Sequence, residues 1–122
     1  MDTLIGLRDK KLIKVLTGVR RCGKSTVMRM FCDYLLKDGI SDSQILFINF
    51  EEIENYKWIN NFEGLYYHII NNLDLSKPCY VFLDEVQHVK EYERLVDGLF
   101  TKPAIDVYIS LIVSKISSKK TS

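Results

Sequence analysis

Leu12 to Thr26, LIKVLTGVRRCGKST, is the stretch whose reading decides the fold. The largely apolar run Leu12 to Leu16 reads as a strand, and Thr17 closes it. Gly18-Val19-Arg20-Arg21-Cys22-Gly23-Lys24-Ser25 then fits the pattern G-x-x-x-x-G-K-[ST], and a helical pattern starts directly behind it. Strand, glycine-bounded turn and helix N-terminus are the context a phosphate-binding loop requires. Gly18 and Gly23 open backbone angles closed to other residues, so the loop can curl its N–H groups inward as an anion nest. The first helical turn adds unpaired donors and the positive end of the helix dipole. In this reading residues Gly18, Val19, Arg20, Arg21, Cys22, Gly23, Lys24, Ser25 and Thr26 surround the phosphates. Lys24 reaches the β- and γ-phosphates, and the Ser25 hydroxyl ligates Mg²⁺.

The bounds of the chain agree with that start. Its 122 residues allow one domain with a real core. Composition is that of a globular protein, and a net charge of +1 gives no electrostatic case for nucleic-acid binding by the whole domain. No apolar run approaches the length of a membrane span, and MDTLIGLRDKK lacks the apolar core of a signal peptide. Cys22, Cys32 and Cys79 show no metal-ligand spacing, and an odd number within apolar segments suits a reducing cytoplasm. Cys22 lies in the loop itself, where a small neutral filler is the simpler reading than a redox group.

The first helix is expected from about Gly23 to Lys37, with Val27, Met30, Phe31, Tyr34 and Leu35 on its buried face and Gly39 as the residue that stops it. Ser41-Asp42-Ser43 reads as a turn. Ile45 to Phe50 reads as a strand covered on both faces, as in a parallel sheet, and Glu51 to Lys57 as loop. Trp58, Phe62, Leu65, Tyr66, Ile69, Ile70 and Leu73 recur at helical spacing. The aromatics among them could stack on bases, but their spacing matches the buried face of a crossover helix.

A second signal follows the turn at Leu75-Ser76-Lys77-Pro78. Cys79-Tyr80-Val81-Phe82-Leu83 is an apolar strand, and Asp84-Glu85 stand at its C-terminal end, where the ligand crevice of an open α/β sheet lies. Asp84 is the candidate Mg²⁺ holder. Glu85 is the candidate base that orients or deprotonates the attacking water, which makes it and Lys24 the candidate catalytic pair. A helix is expected from Val86 to Lys102, with Val89, Tyr92, Leu95, Val96, Leu99 and Phe100 on one face. His88 reads as a solvated residue at its start. Ala104 to Val113 reads as a last strand. Ser114 to Ser122 is Ser/Lys-rich and reads as a disordered tail, leaving residues 1–113 as the domain. The order β-α-β-α-β-α-β argues an α/β fold with a parallel sheet.

Gly18-to-Thr26, Ile48-Asn49-Phe50-Glu51 and Tyr80-to-Gln87 resemble a prokaryotic family of AAA-type P-loop ATPases, over about residues 10 to 110. The resemblance implies a three-layer sandwich with strand order 5-1-4-3-2, and ATP and Mg²⁺ as ligands. It places the phosphate loop at Gly18, Gly23, Lys24, Ser25 and Thr26, and the two acids at Asp84 and Glu85. It also sets the strand ending at Phe50 beside the one ending at Asp84, so Asn49 or Glu51 could approach Glu85 and restrain it. Such ATPases continue their fourth strand into a polar sensor segment resembling Thr-Gly-Ser-Asn. The corresponding stretch here is Ser110-Leu111-Ile112-Val113, with Val113 at the amide's place. A fifth strand, a distal arginine, a helical lid and a nuclease-like domain would follow in the family, so the chain is expected to be a truncated copy or a fragment.

Three functions fit these observations: an ATP-binding ATPase core with weak hydrolysis, a remnant that holds nucleotide without turnover, and a P-loop kinase acting on a small molecule. The kinase reading lacks an arginine-bearing lid, since Thr101 to Ser122 holds no arginine. The absence of an Asn-Lys-x-Asp segment favours adenine over guanine. Nucleotide is the expected partner, and a homo-oligomer is possible because a neighbouring copy could supply Arg20, Arg21 or Arg94 to the site.

Overall fold

Cys79–Asp84 forms the strand on which the rest is layered, and each of its residues is buried. The computed structural model of the protein describes residues 13–18 and 24–112, the side chains of residues 16–18, 24, 25 and 112 excepted. Four strands are described: β1 (Ile13–Gly18), β2 (Ile45–Asn49), β3 (Cys79–Asp84) and β4 (Ile105–Ile112). Helix α1 (Lys24–Lys37) follows β1, α2 (Phe62–Asn71) precedes β3, and α3 (Tyr92–Phe100) joins β3 to β4. The strands pair in the order β1-β4-β3-β2, all parallel. This is the α/β sandwich expected from the alternation of strand and helix, and the order is the 1-4-3-2 portion of the expected sheet.

Alternation along β3 divides the core in two. Cys79, Val81 and Leu83 face α2 and α3, packing with Leu65, Ile69, Leu95, Leu99, Val107 and others. Tyr80 and Phe82 face α1 and pack with Met28, Phe31, Leu35 and Tyr108. In this second layer the Phe82 ring stacks between Tyr108, with centroids 4.9 Å apart, and Phe47, at 5.9 Å. Burying each such aromatic fully contributes about 1.5–3 kcal/mol from area alone.

Several expectations need correction. Strand β1 runs on to Gly18 because its pairing with β4 continues through Gly18 and Ile112; Leu12 lies outside the described residues. On α1 the buried residues are Met28, Phe31 and Leu35, while Met30 is half exposed. At about 100° per residue Met30 points roughly 130° from the centre of that stripe. The helix ends as expected at Gly39, which takes φ +97°. The Ile40 amide donates to Leu35 O and the Gly39 amide to Leu36 O, the paired bonds of a Schellman stop.

The Ser41-Asp42-Ser43 turn is a short 3₁₀ segment, Asp42–Gln44, closed by Ser41 and Gln44 as a capping box. Strand β2 is only partly covered, with Ile48 its one buried residue, since among the described residues it has a single strand neighbour. Both-face burial belongs instead to β3. The segment read as loop contains a 3₁₀ stretch, Ile53–Trp58, so Trp58 precedes α2 and is not part of it. Helix α2 begins later, where the Asn61 side chain accepts the Gly64 N–H at 3.0 Å. A Cβ on Gly64 would lie 2.3 Å from that Asn61 amide, so the cap and the glycine belong together. Trp58, Phe62 and Tyr66 pack against the core, as a crossover helix requires, while Tyr67 is exposed.

The helix expected from Val86 to Lys102 is two pieces: a 3₁₀ turn, Val86–His88, and α3. Glu85 and Glu91 both take left-handed angles, φ 62° and 58°, and the chain between them is held by the Lys90 amide donating to Ile59 O at 2.8 Å. The expected apolar face survives the break: Val89, Leu95, Val96 and Leu99 are buried.

The α1 side of the sheet also holds a buried ion pair. Lys14 on β1 is buried and its Nζ lies 2.5 Å from Asp106 Oδ1 on β4. Tyr108, opposite Lys14 in the strand register, donates its hydroxyl to Asp106 Oδ2 at 3.2 Å. The two strands are thus joined by charge as well as by the ladder.

Candidate functional site at the C-terminal ends of the strands

All four parallel strands run toward the same edge, so β1 delivers its glycine there, β3 Asp84 with Glu85 just behind it, and β4 the Ser110 hydroxyl. Gly18 ends β1, and α1 begins at Lys24, which brackets the five residues of the loop. Val19, Arg20, Arg21, Cys22 and Gly23 lie outside the described residues. Lys24 and Ser25 open α1; Thr26 follows and is exposed. The first turn of α1 has no acidic side chain and its last turn carries Lys37, a charge arrangement that leaves the N-terminal dipole unopposed for an anion.

Asp84 is fully buried at the last position of β3. In the β3–β4 register Leu83 stands opposite Ile109, so the next residues along, Asp84 and Ser110, are neighbours. The Ser110 hydroxyl donates to Asp84 Oδ1 at 2.5 Å and accepts the Glu85 N–H at 2.7 Å. Ser110 is itself fully buried. At Glu85 the chain leaves the strand in the left-handed region, φ 62° and ψ 45°, a conformation costing a residue with a Cβ about 1–2 kcal/mol. Its carboxylate stays largely buried and accepts from Gln87 Nε2 at 2.8 Å.

Around Glu85 stand Glu51, from just beyond β2, and His88. Ligating atoms of the three lie within 4.8 Å of one another, and His88 Nε2 is 3.9 Å from Glu51 Oε2. Of the two residues expected to approach Glu85, Glu51 is therefore the one that does. The Asn49 side chain turns back and accepts the Glu51 N–H at 2.9 Å, which commits it to its own turn. His88 is partly exposed, as read, yet faces the acids. Phe50, Glu51, Tyr56, Ile59 and His88 line a cleft of about 470 Å³ beside them.

The buried Asp84 carboxylate is a hard oxygen donor of the kind Mg²⁺ takes, usually with waters and phosphate oxygens completing its shell. Among the described residues, Asp84 therefore fits the ion. The described thiols do not suit redox chemistry. Burial and the charge of Asp33 push the Cys32 thiol up to about 12 against the pull of Arg29. Burial, with Asp74, also raises Cys79.

The residue missed in the sequence is Ser110. The signal available for it was its place at the start of the stretch Ser110-Leu111-Ile112-Val113, and the strand register gives its hydroxyl its partners. Val113, the residue at the sensor amide's place, lies outside the described residues, as do Met1 to Leu12 and the tail Ser114 to Ser122. No described helix is long and apolar enough to cross a membrane.

A family model described as "AAA domain" matches residues 10–122. An uncharacterized protein of Haemophilus influenzae is 33% identical over 111 residues, which is 90% of this chain and 28% of that protein. The chain thus spans little more than a quarter of this relative's length. Read with the parallel sheet, the glycine-bounded loop and the paired acids, the match over nearly the whole chain establishes that the protein belongs to the AAA domain family of ATPase-like proteins.

Proposed function

We propose that the chain is the ATP-binding core of an AAA-type ATPase, with Mg²⁺-dependent binding and slow hydrolysis to ADP and phosphate. The observation that carries the reading is that Gly18, where β1 ends, and Asp84, where β3 ends, lie at the same edge of one parallel sheet, with α1 starting at Lys24. The loop from Gly18 to Gly23 would cradle the phosphates with its amides, and Lys24 would neutralise the β- and γ-phosphates. Ser25 and Asp84 would hold Mg²⁺, which when bound draws charge from the phosphate oxygens.

Glu85 would orient water and accept its proton. Its carboxylate already accepts from Gln87 Nε2 and stands near Glu51. Both neighbours must be accommodated before it can take a water, and this supports slow rather than fast turnover. Positioning supplies most of the rate in phosphoryl transfer.

Calorimetry of ATP binding with and without Mg²⁺ tests the reading, alongside Lys24→Ala. The substitution should weaken binding by about 1.5–3 kcal/mol, the scale of hydrogen bonds to a charged group. Equal affinity of wild type and variant would remove the loop from the site. ATP should bind at least as tightly as GTP. In single-turnover hydrolysis with excess protein, slow release of phosphate that Glu85→Gln abolishes would assign the base. No release from either protein would leave nucleotide binding without turnover.

A further inference from the structure

We infer that Ser110 is a positioning residue for both acids of the nucleotide site, holding the Asp84 carboxylate in place for the metal and the Glu85 turn in place for water. The inference rests on the nucleotide-binding reading above and deepens it. Its basis is the direction of two hydrogen bonds. A backbone amide can only donate, so the Glu85 N–H at 2.7 Å must point at the Ser110 oxygen. The single Ser110 proton is then free to go to Asp84 Oδ1, 2.5 Å away. One hydroxyl therefore reads both residues, and it fixes Asp84 as an acceptor with Oδ1 engaged.

Burial makes the arrangement stiff. Ser110 and Asp84 are fully buried, and the flanking Leu83 and Ile109 are core residues in register. Ser110 can make these contacts because β4 lies between β1 and β3. It stands opposite Leu16 on β1, two residues before the first glycine of the loop. The same side chain thus sits at the junction between the strand that carries the phosphate loop and the strand that carries the acids. On the Glu85 side it supplies a partner for the amide at a backbone angle that residues with a Cβ seldom adopt.

The test uses the whole chain and ATP affinity measured by calorimetry, in Mg²⁺ and in EDTA. Ser110→Ala should lower affinity about tenfold or more in Mg²⁺, the scale of one hydrogen bond to a charged group. In EDTA it should change affinity less than twofold, because the phosphate contacts of the loop do not pass through Asp84. Ser110→Thr keeps the hydroxyl and should restore most of the Mg²⁺-dependent gain. In an Asp84→Ala background, Ser110→Ala should have no further effect on that gain.

Equal losses in Mg²⁺ and EDTA would make Ser110 a packing residue and overturn the inference. So would an unchanged affinity in Mg²⁺. Failure of the wild type to bind ATP at all would instead overturn the nucleotide reading on which the inference stands. Amide hydrogen exchange of the ligand-free wild type adds a measurement that needs no variant to fold. Protection of the Glu85 amide comparable to that of β3 supports the bond to Ser110, and exchange at the rate of an open loop refutes it.

Discussion

Asp106→Ala should destabilise the domain severely, and the structure says by how much. Lys14 Nζ and Asp106 Oδ1 are 2.5 Å apart, and both residues are buried. At an effective dielectric near 20 their attraction is about 7 kcal/mol, but desolvating each ion costs several kcal/mol, so the pair as a whole adds little. Removing one member is different, because the desolvation of the other remains while this attraction is lost. The expected cost is about 3–5 kcal/mol, a large fraction of the 5–15 kcal/mol typical of a whole domain. Tyr108 adds to it, since its hydroxyl donates to Asp106 and its ring lies 5.2 Å from Lys14 Nζ. Urea unfolding followed by far-UV circular dichroism and Trp58 fluorescence measures the loss. The double replacement Lys14→Met with Asp106→Leu should fall within about 2 kcal/mol of wild type, because it removes both charges together. An Asp106→Ala protein within about 1 kcal/mol of wild type would refute the reasoning, and would mean the ammonium is solvated without its carboxylate.

Asn61→Ala removes the side-chain cap on the Gly64 amide and should cost about 1 kcal/mol in the same urea assay, with Asn61→Gly costing only a few tenths. The Cys32 thiol, pushed up from its ordinary 9.0 to about 12, should resist iodoacetamide at pH 8 in the native protein and react readily in urea, as site-resolved mass spectrometry would show. In linkage terms the native state keeps a proton that the unfolded chain gives up. Its contribution to stability is therefore complete below about pH 9 and is lost as pH rises toward 12. Equal alkylation rates in buffer and urea would remove the burial argument.

Residue type was enough wherever a property belongs to one segment. The apolar run from Cys79 to Leu83 reads as a buried strand from residue type alone, and β3 is that strand, buried along its whole length. The glycine after Lys37 and Asp38 stops α1 because a Schellman turn is a local event. Legibility ended where a second segment decides the outcome. The pattern from Val86 to Lys102 has helical spacing throughout, yet the Lys90 amide is claimed by Ile59 from another part of the chain, and α3 starts only at Tyr92. Lys14 on β1 carries no local sign of its burial, because its counterion sits 92 positions away.

Ser110 is the sharpest case. Its residue type, a hydroxyl between Ile109 and Leu111, says only that a buried O–H must find partners. Which partners depends on the offset between β3 and β4, and that offset is set by Cys79 standing opposite Ile105. Slide β4 by one residue and the side-chain period of two turns Ser110 to the opposite face, away from Asp84. The register is in turn held by the packing of Val81 and Leu83 against Val107 and Ile109 on one face, and of Phe82 against Tyr108 on the other. The chemistry proposed at the sheet edge thus depends on core residues far from any phosphate. A core substitution that lets β4 slip should disturb Asp84 before it unfolds the domain.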